Sequence, residues 1–294
     1  MMPERLHQIE QPSLCRLRPL FFLWPLFAIL AAAILLWGVE TVRTPVGTLA
    51  KDLLPERERE EETAGLLVTL EQLERMHYMD STLGEISWSV SEESLEELNR
   101  VLREYNITTA EEISQFLAQA AVETSGGRWL TELGEESYFR HRGYTTGTRG
   151  AGYFHLTYEY GQMAFSTWMM KRYIPELGEI VYLNPASHNK TEIREAYHRA
   201  LWTAANLGLD VSRYSRIVYD PQSADITGAD YISQTFAWES AAYYWQAAGV
   251  KNALSQLPGT ANTDIASKLV GGSNWQSRRE AYLAFYPVLN NQSK

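Results

Sequence analysis

A charge-free apolar run near the start of the chain constrains its organisation more than any other feature. The run covers residues 20–39 and reads LFFLWPLFAILAAAILLWGV. Roughly 20 apolar residues form a helix long enough to span the hydrocarbon core of a bilayer. The sequence therefore predicts a single transmembrane helix at residues 20–39, with the lipid bilayer as a partner of this segment.

The charges on either side of the run predict its orientation. Arg16 and Arg18 precede it, and Glu40 follows it. Because positive side chains tend to remain on the cytoplasmic side, we expect a cytoplasmic tail at residues 1–19 and an extracytoplasmic remainder. A cleaved signal peptide is the alternative. The run is longer than a usual signal-peptide core and has no small-x-small cleavage site at its end, which favours an uncleaved, single-pass anchor.

Residues 40–65 have the composition of a solvated linker. They include the charge run EREREEE at residues 56–62 and two prolines, and no apolar periodicity is visible before residue 66. Charged segments of this kind repel themselves and extend. We therefore expect the linker to hold a globular domain, residues 66–294, away from the membrane.

Composition excludes several classes of function. The net charge of -10 is unfavourable for binding phosphate backbones, so no nucleic-acid partner is expected. Cys15 is the single cysteine, and the six histidines form no close pair or HExxH motif. The sequence therefore predicts no disulfide framework, no metal site and no cofactor.

The pattern of the globular region predicts a mainly α fold. Ser91 is a candidate N-cap, the run from Thr109 to Glu112 has the form of a capping box, and a further helix begins near Asn189. Additional helices are expected at about 229–248 and 277–289. Strand signals are few, and residues 152–157 (GYFHLT) are the best candidate for part of a small β hairpin.

One carboxylate in the helix after the capping box has the position expected of a general acid. Glu123 follows Ala120, Gln119 and Phe116 at helical spacings, so it should lie at the border of the apolar face. Partial desolvation and the negative end of the helix dipole both favour its protonated form, which glycoside cleavage requires. The alternatives are a solvated carboxylate, a pair with Arg128 and a hydrogen bond to Gln119.

Hydrolysis of a glycosidic bond requires a second carboxylate across the sugar ring. Glu132 follows Glu123 by nine residues, beyond the turn at residues 126–127, and Glu135 and Glu136 come next. An inverting enzyme separates its two carboxyl groups by about 6.5–9.5 Å to admit a water molecule. Glu132 is the candidate for this second acid, whereas surface charge is the simpler interpretation of Glu135 and Glu136.

Four segments, in order along the chain, resemble family 19 glycoside hydrolases, the plant-type chitinases and related bacterial and phage endolysins. Residues 116–139 (FLAQAAVETSGGRWLTELGEESYF) resemble the family's catalytic segment, and residues 149–157 (RGAGYFHLT) resemble its RGRGxIQLT motif. Residues 236–245 (FAWESAAYYW) and 269–274 (LVGGSN) resemble a later helix and a glycine turn. The resemblance implies a lysozyme-like, two-lobed, α-rich domain with a cleft between the lobes.

The resemblance also implies roles for individual residues. Glu123 occupies the general-acid position, Glu132 matches the second acid, and Thr157 matches the hydroxyl that positions the attacking water. The implied activity is inverting hydrolysis of β-1,4 bonds in N-acetylhexosamine polymers, with a polysaccharide, peptidoglycan or chitin, as substrate. The residues implied at sugar subsites are Tyr138, Tyr153, Arg149 and His155.

Several positions depart from the family's pattern. Val122 replaces the His before the acid, Ala151 replaces the second Arg of RGRG, His155 replaces a Gln, and Val270 replaces an Asn. Residues 174–225 have the character of an insertion. Two alternatives therefore stay open: a catalytically impaired module for glycan binding or cell-wall assembly, and a lytic transglycosylase that uses Glu123 alone. An outward-facing domain next to a membrane favours peptidoglycan as the polymer within reach.

Overall fold

The computed structural model describes residues 67–80, 84–178 and 187–290. These residues are mainly helical, which confirms the predicted α-rich fold class. None of the helices within these ranges has the length and apolar character needed to cross a bilayer. The predicted tail at 1–19, anchor at 20–39 and linker at 40–65 lie outside the described residues.

The described residues form thirteen helices, one 3-10 turn and one two-stranded sheet. Strand β1 (Tyr78–Asp80) pairs antiparallel with β2 (Gly84–Ile86), with Tyr78 opposite Ile86. The helices are α1 (Leu70–Arg75), α2 (Glu92–Glu104), α3 (Ala110–Thr124), α4 (Glu136–His141), α5 (Glu159–Tyr173), α6 (Pro175–Gly178), α7 (Lys190–Leu207), α8 (Ser212–Ser215), α9 (Ala229–Thr235), α10 (Ala237–Ala247), α11 (Val250–Ala253), α12 (Thr260–Val270) and α13 (Trp275–Asn290).

The helix starts that were predicted from capping residues are confirmed. Ser91 accepts a hydrogen bond from the backbone N–H of Ser94 at the start of α2. Thr109 and Glu112 form both halves of a capping box on α3, and the side chain of Asn189 caps α7. Each cap satisfies backbone N–H groups that the first helical turn leaves without partners.

Helix α3 lies at the centre of the domain. It packs along α13 and contacts α12, and the ring of Phe116 lies 5.0 Å from that of Phe154 and 5.5 Å from that of Trp245. Every residue of α3 from 113 to 122 is buried, including Gln119. The expected polar flank at Gln119 is therefore wrong, because neighbouring elements cover this part of α3 on all sides, whereas Glu123 is partly exposed, as its predicted border position requires.

A second group of helices packs beside this centre. Helix α7 lies against α5, and α10 lies against α2. Helix α7 belongs to the stretch at 174–225 that has the character of an insertion. Its buried residues Ile193, Ala196, Tyr197 and Ala200 follow one another at helical spacing and attach it to the domain.

Two secondary-structure predictions need correction. The single helix expected at about 229–248 is broken at Phe236 into α9 and α10, because Phe236 leaves helical geometry at φ -139° and ψ 33°. The hairpin expected at residues 152–157 lies instead at β1 and β2. Gly152 and His155 have φ values of 73° and 47°, which a regular strand does not allow, so this segment forms only isolated bridges between Ala151 and its partners.

Candidate active site

A cavity of about 800 Å³ brings together four of the residues singled out from the sequence. Glu123 comes from the last turn of α3, Glu132 from the loop after it, and His155 and Thr157 from the loop before α5. Aromatic side chains of Tyr158, Tyr160, Tyr243 and Tyr244 also line the cavity. A concave site with convergent polar groups and aromatic walls is the usual form of a ligand-binding site.

The carboxyl group of Glu123 is held by a buried cation. Nη2 of Arg278 donates to Oε1 of Glu123, and Nη1 of Arg278 donates to Oε1 of Gln119 at 2.5 Å. The side chain of Arg278 is 2% exposed and that of Glu123 is 25% exposed. The partner of Glu123 is therefore Arg278 of α13 rather than Arg128, and its setting is polar and charged rather than a dry apolar wall.

The glycine turn before α13 leaves room for this cation. A Cβ at Gly272 would overlap the guanidinium group of Arg278. Gly272 has no positive φ, so glycine is needed at this position for its small size and not for its backbone freedom. The glycine pair of the LVGGSN segment marks the turn directly before the helix that carries Arg278, but no sequence signal pairs this arginine with Glu123.

Glu132 is fixed by two kinds of donor. The hydroxyl of Tyr144 donates to its two carboxylate oxygens at 2.8 and 2.9 Å, and the backbone N–H of Gly150 donates at 3.2 Å. Burial, together with the hydrogen bond to Glu132, raises the pKa of Tyr144 well above its usual value. The phenol therefore keeps its proton and remains a donor to Glu132.

The hydroxyl group of Thr157 already donates its single proton to a hydrogen bond within the loop. Its Oγ1 donates to the backbone oxygen of His155 at 2.6 Å. A hydroxyl group has one proton and two lone pairs, so the Thr157 oxygen retains acceptor capacity for a third group. Among the lining atoms of the cavity, this is a suitable acceptor for a water hydrogen.

Three residues predicted at sugar subsites do not line this cavity. Tyr153 is 1% exposed and stacks on Trp238 with ring centroids 3.3 Å apart. Burial raises the pKa of Tyr153 to about 12. The prediction for Tyr153 is wrong, because a ring packed into the core has no surface to offer a sugar.

Arg149 and Tyr138 also have other contacts. The side chain of Arg149 is 12% exposed and forms an ion pair with Asp230 at 2.5 Å, which joins the loop to α9. Tyr138 is 40% exposed, and the guanidinium carbon of Arg142 lies 4.7 Å from its ring centroid. Arg142 does line the cavity, so Tyr138 supports a lining residue and Arg149 serves the packing of the loop.

Part of the cavity wall consists of residues for which the sequence analysis predicted no role. Ser187, His188 and Ile193, within the predicted insertion at 174–225, line the same cavity as Glu123. Tyr160 stacks on Tyr158 at 5.1 Å, and Nζ of Lys190 lies 4.8 Å from the Tyr160 ring centroid. The stretch at 174–225 therefore contributes directly to the candidate site.

No cluster of three or more His, Cys, Asp or Glu side chains suitable for a metal ion occurs within residues 67–80, 84–178 and 187–290. The predicted absence of a cofactor stays a prediction.

No protein-family model, curated protein or solved structure matches this chain. The resemblance to family 19 glycoside hydrolases therefore stays a prediction that rests on the four ordered segments.

Proposed function

We propose that this protein hydrolyses β-1,4 glycosidic bonds in N-acetylhexosamine polymers. The observation that supports this proposal is the meeting of Glu123, Glu132 and Thr157, from three separate segments, around one cavity of about 800 Å³. Inverting glycosidases need two carboxyl groups with space for a water molecule and a sugar between them. A hydroxyl group with acceptor capacity for water in the same cavity, that of Thr157, fits the same reaction.

In the proposed reaction, each of these residues has one task. Glu123 donates its proton to the glycosidic oxygen as the bond from the sugar carbon to that oxygen breaks. Glu132 accepts a proton from the water that attacks the opposite face of the sugar, and Thr157 orients this water through its free lone pair. Tyr144 and the N–H of Gly150 hold the Glu132 carboxylate in place, so that little reorganisation is needed during the reaction.

The finer assignment of the fold is part of the same proposal. We infer a lysozyme-like, two-lobed domain similar to family 19 glycoside hydrolases, tethered outside the cytoplasm by the anchor at residues 20–39. Peptidoglycan is the favoured substrate because it is the polymer near an outward-facing membrane domain. Arg142 lines the cavity and would attract a carboxylate-bearing glycan more than neutral chitin.

A second candidate function is glycan binding without efficient cleavage. The ion pair between Arg278 and Glu123 favours it, because a guanidinium group pairs with a carboxylate, whereas cleavage needs the protonated acid. A lytic transglycosylase is a third candidate. It would use Glu123 without activating water, and the Tyr144–Glu132 contact at the cavity is an argument against it.

One assay separates the three candidates. The full-length protein is incubated with peptidoglycan and with chitooligosaccharides, and the products are analysed by mass spectrometry. Reducing ends support hydrolysis, anhydro ends support a transglycosylase, and binding without cleavage supports the binding module. Glu123→Gln should lower the rate of cleavage at least about 10²-fold, which is the low end of the usual contribution of general acid catalysis. Full activity of Glu123→Gln would refute the proposed mechanism.

A further inference from the structure

The imidazole ring of His155 lies between a backbone carbonyl and the proposed general acid. Its Nε2 is 3.1 Å from the backbone oxygen of Trp129, and its Nδ1 is 3.8 Å from Oε2 of Glu123. Both ring nitrogens of His155 therefore face a defined oxygen atom. The side chain also lines the candidate active-site cavity.

The carbonyl contact determines which nitrogen carries the permanent proton. A backbone carbonyl oxygen only accepts hydrogen bonds, so Nε2 of His155 must be the donor to Trp129. Nδ1 then carries a lone pair in the neutral ring and a proton in the imidazolium ion. The only proton that His155 can gain or lose without breaking this contact is the one facing Glu123.

The backbone of His155 has a left-handed conformation that few residues other than glycine adopt. Its φ is 47°, which is uncommon for a residue with a side chain. A Cβ at Gly150 would lie 2.8 Å from the Cβ of His155, so the glycine permits the close approach. Backbone strain of this kind persists where surrounding structure imposes it and often marks a functional residue.

The other carboxyl oxygen of Glu123 already accepts a hydrogen bond. Oε1 of Glu123 accepts from Arg278, so an acidic proton on Glu123 resides on Oε2, the oxygen that faces Nδ1. We propose that Nδ1 of His155 closes from its ion-pair distance of 3.8 Å to form a hydrogen bond with Oε2 of Glu123, that the two groups then share one proton, and that His155 thereby restores the proton of Glu123 after each cleavage. This inference rests on the proposed function and assigns His155 a positioning role that acts through Glu123.

Each proton that leaves a group in the proposed cycle is accepted by another group or by solvent. The O–H bond of Glu123 breaks, a new O–H bond forms on the leaving oxygen, and the sugar carbon exchanges that oxygen for the oxygen of water. The water proton passes to Glu132 and then to solvent. Cleavage leaves the carboxylate of Glu123 beside a neutral ring, which takes one proton from solvent at Nδ1 and passes it to Oε2 of Glu123. No oxidant, reductant or further reactant is needed.

Other charged and titratable groups surround this pair and will shape its response to pH. Arg278 approaches from α13, and Tyr244 approaches from α10. Burial and the negative charge of Glu123 both raise the pKa of Tyr244. Glu132, Arg142 and His188 line the remaining parts of the cavity.

The test compares the pH dependence of kcat/KM for the wild type and His155→Gln. A non-ionising side chain cannot hold the shared proton, so the alkaline limb should move to lower pH. A shift of at least about one unit is expected, because imidazole ionises roughly two units above a carboxyl group. His77→Gln, at an exposed histidine outside the cavity, should leave the position of the limb unchanged. An unmoved limb in His155→Gln overturns the inference.

Two further measurements test the same inference. The first uses a second substitution at position 155 to control for folding, and the second does not depend on hydrolysis. His155→Asn should give the same shift, because Asn accepts a positive φ more readily than most residues. In the full-length protein, NMR titration of the His155 ring should show protonation at lower pH in Glu123→Gln, since the stabilising carboxylate is gone. An unchanged ring titration overturns the inference, whereas cleavage by Glu123→Gln would instead overturn the proposed function.

Discussion

Arg278 of α13 connects to Glu123 of α3 through a contact that is buried on the arginine side. The same guanidinium group also binds Gln119, one turn earlier on α3. A single side chain thereby fixes the last turn of the central helix against the C-terminal helix. It also determines which oxygen of the proposed acid remains available to substrate.

Replacement of Arg278 tests this connection. Arg278→Ala leaves Gln119 and Glu123 without their shared donor, and removal of one partner of a fully buried pair costs about 3–5 kcal/mol. Glu123 is partly exposed, so we expect a loss of about 2–4 kcal/mol in the free energy of unfolding. Urea denaturation measures this loss.

The adjacent arginine provides a matched control for Arg278. Arg279 forms an ion pair with Asp264 at the surface, where water and salt screen the interaction. Arg279→Ala should change the unfolding free energy much less than Arg278→Ala does. Equal losses for the two variants would contradict the structural importance of the buried contact.

A Gly272→Ala variant should disturb the site without removing any charge. The added Cβ would overlap the guanidinium group of Arg278 and displace it from Glu123. We expect cleavage of glycan to fall at least about tenfold, because small displacements at a reacting group have large effects on rate. Gly208→Ala is the control: it places a Cβ in open space at a positive φ, which should cost about 1–2 kcal/mol of stability and leave the rate unchanged.

The parts of the fold that could be predicted from the sequence depend on interactions between residues that are close together in the chain. Ser91, Thr109 and Asn189 each cap the helix that begins directly after them. Hydroxyl and amide side chains at these positions bond to N–H groups only two or three residues away. Local chemistry of this kind needs no information about the rest of the chain.

The parts that could not be predicted depend on distant contacts. Arg278 lies 155 residues from Glu123 in sequence, and no helical spacing relates the two. Tyr153 and His155 stand two residues apart, yet one packs in the core and the other lines the cavity. The positive φ at His155 breaks the alternation that a strand would have produced.

The hydroxyl of Tyr144 is expected to affect turnover more than binding. Tyr144→Phe removes the donor to both oxygens of Glu132 but keeps the ring. The carboxylate then loses its fixed orientation toward water, and we expect kcat to fall about tenfold to a hundredfold with little change in KM. Steady-state kinetics on a soluble oligosaccharide measure the two constants. A rise in KM with unchanged kcat would show that Tyr144 serves substrate binding instead.

The most specific prediction about pH and stability concerns Glu97 on α2. Burial raises the pKa of Glu97 to about 7, although a hydrogen bond from the backbone N–H of Glu239 opposes the shift. The folded protein therefore binds this proton more tightly than the unfolded chain. Glu97 stabilises the fold fully only at low pH, and the free energy of unfolding should decline as pH rises from about 4.5 to about 7.

A Glu97→Gln variant should remove this decline, because glutamine is neutral at every pH in that window. Above pH 7 we expect the variant to exceed the wild type in stability by about 1–3 kcal/mol, on the scale of 1.4 kcal/mol per pKa unit. Chemical denaturation at several pH values between 4.5 and 8 measures the difference. Glu96→Gln, at the exposed neighbouring position, controls for the loss of one negative charge. If both variants had the same pH dependence as the wild type, burial of the Glu97 carboxyl would not be the cause.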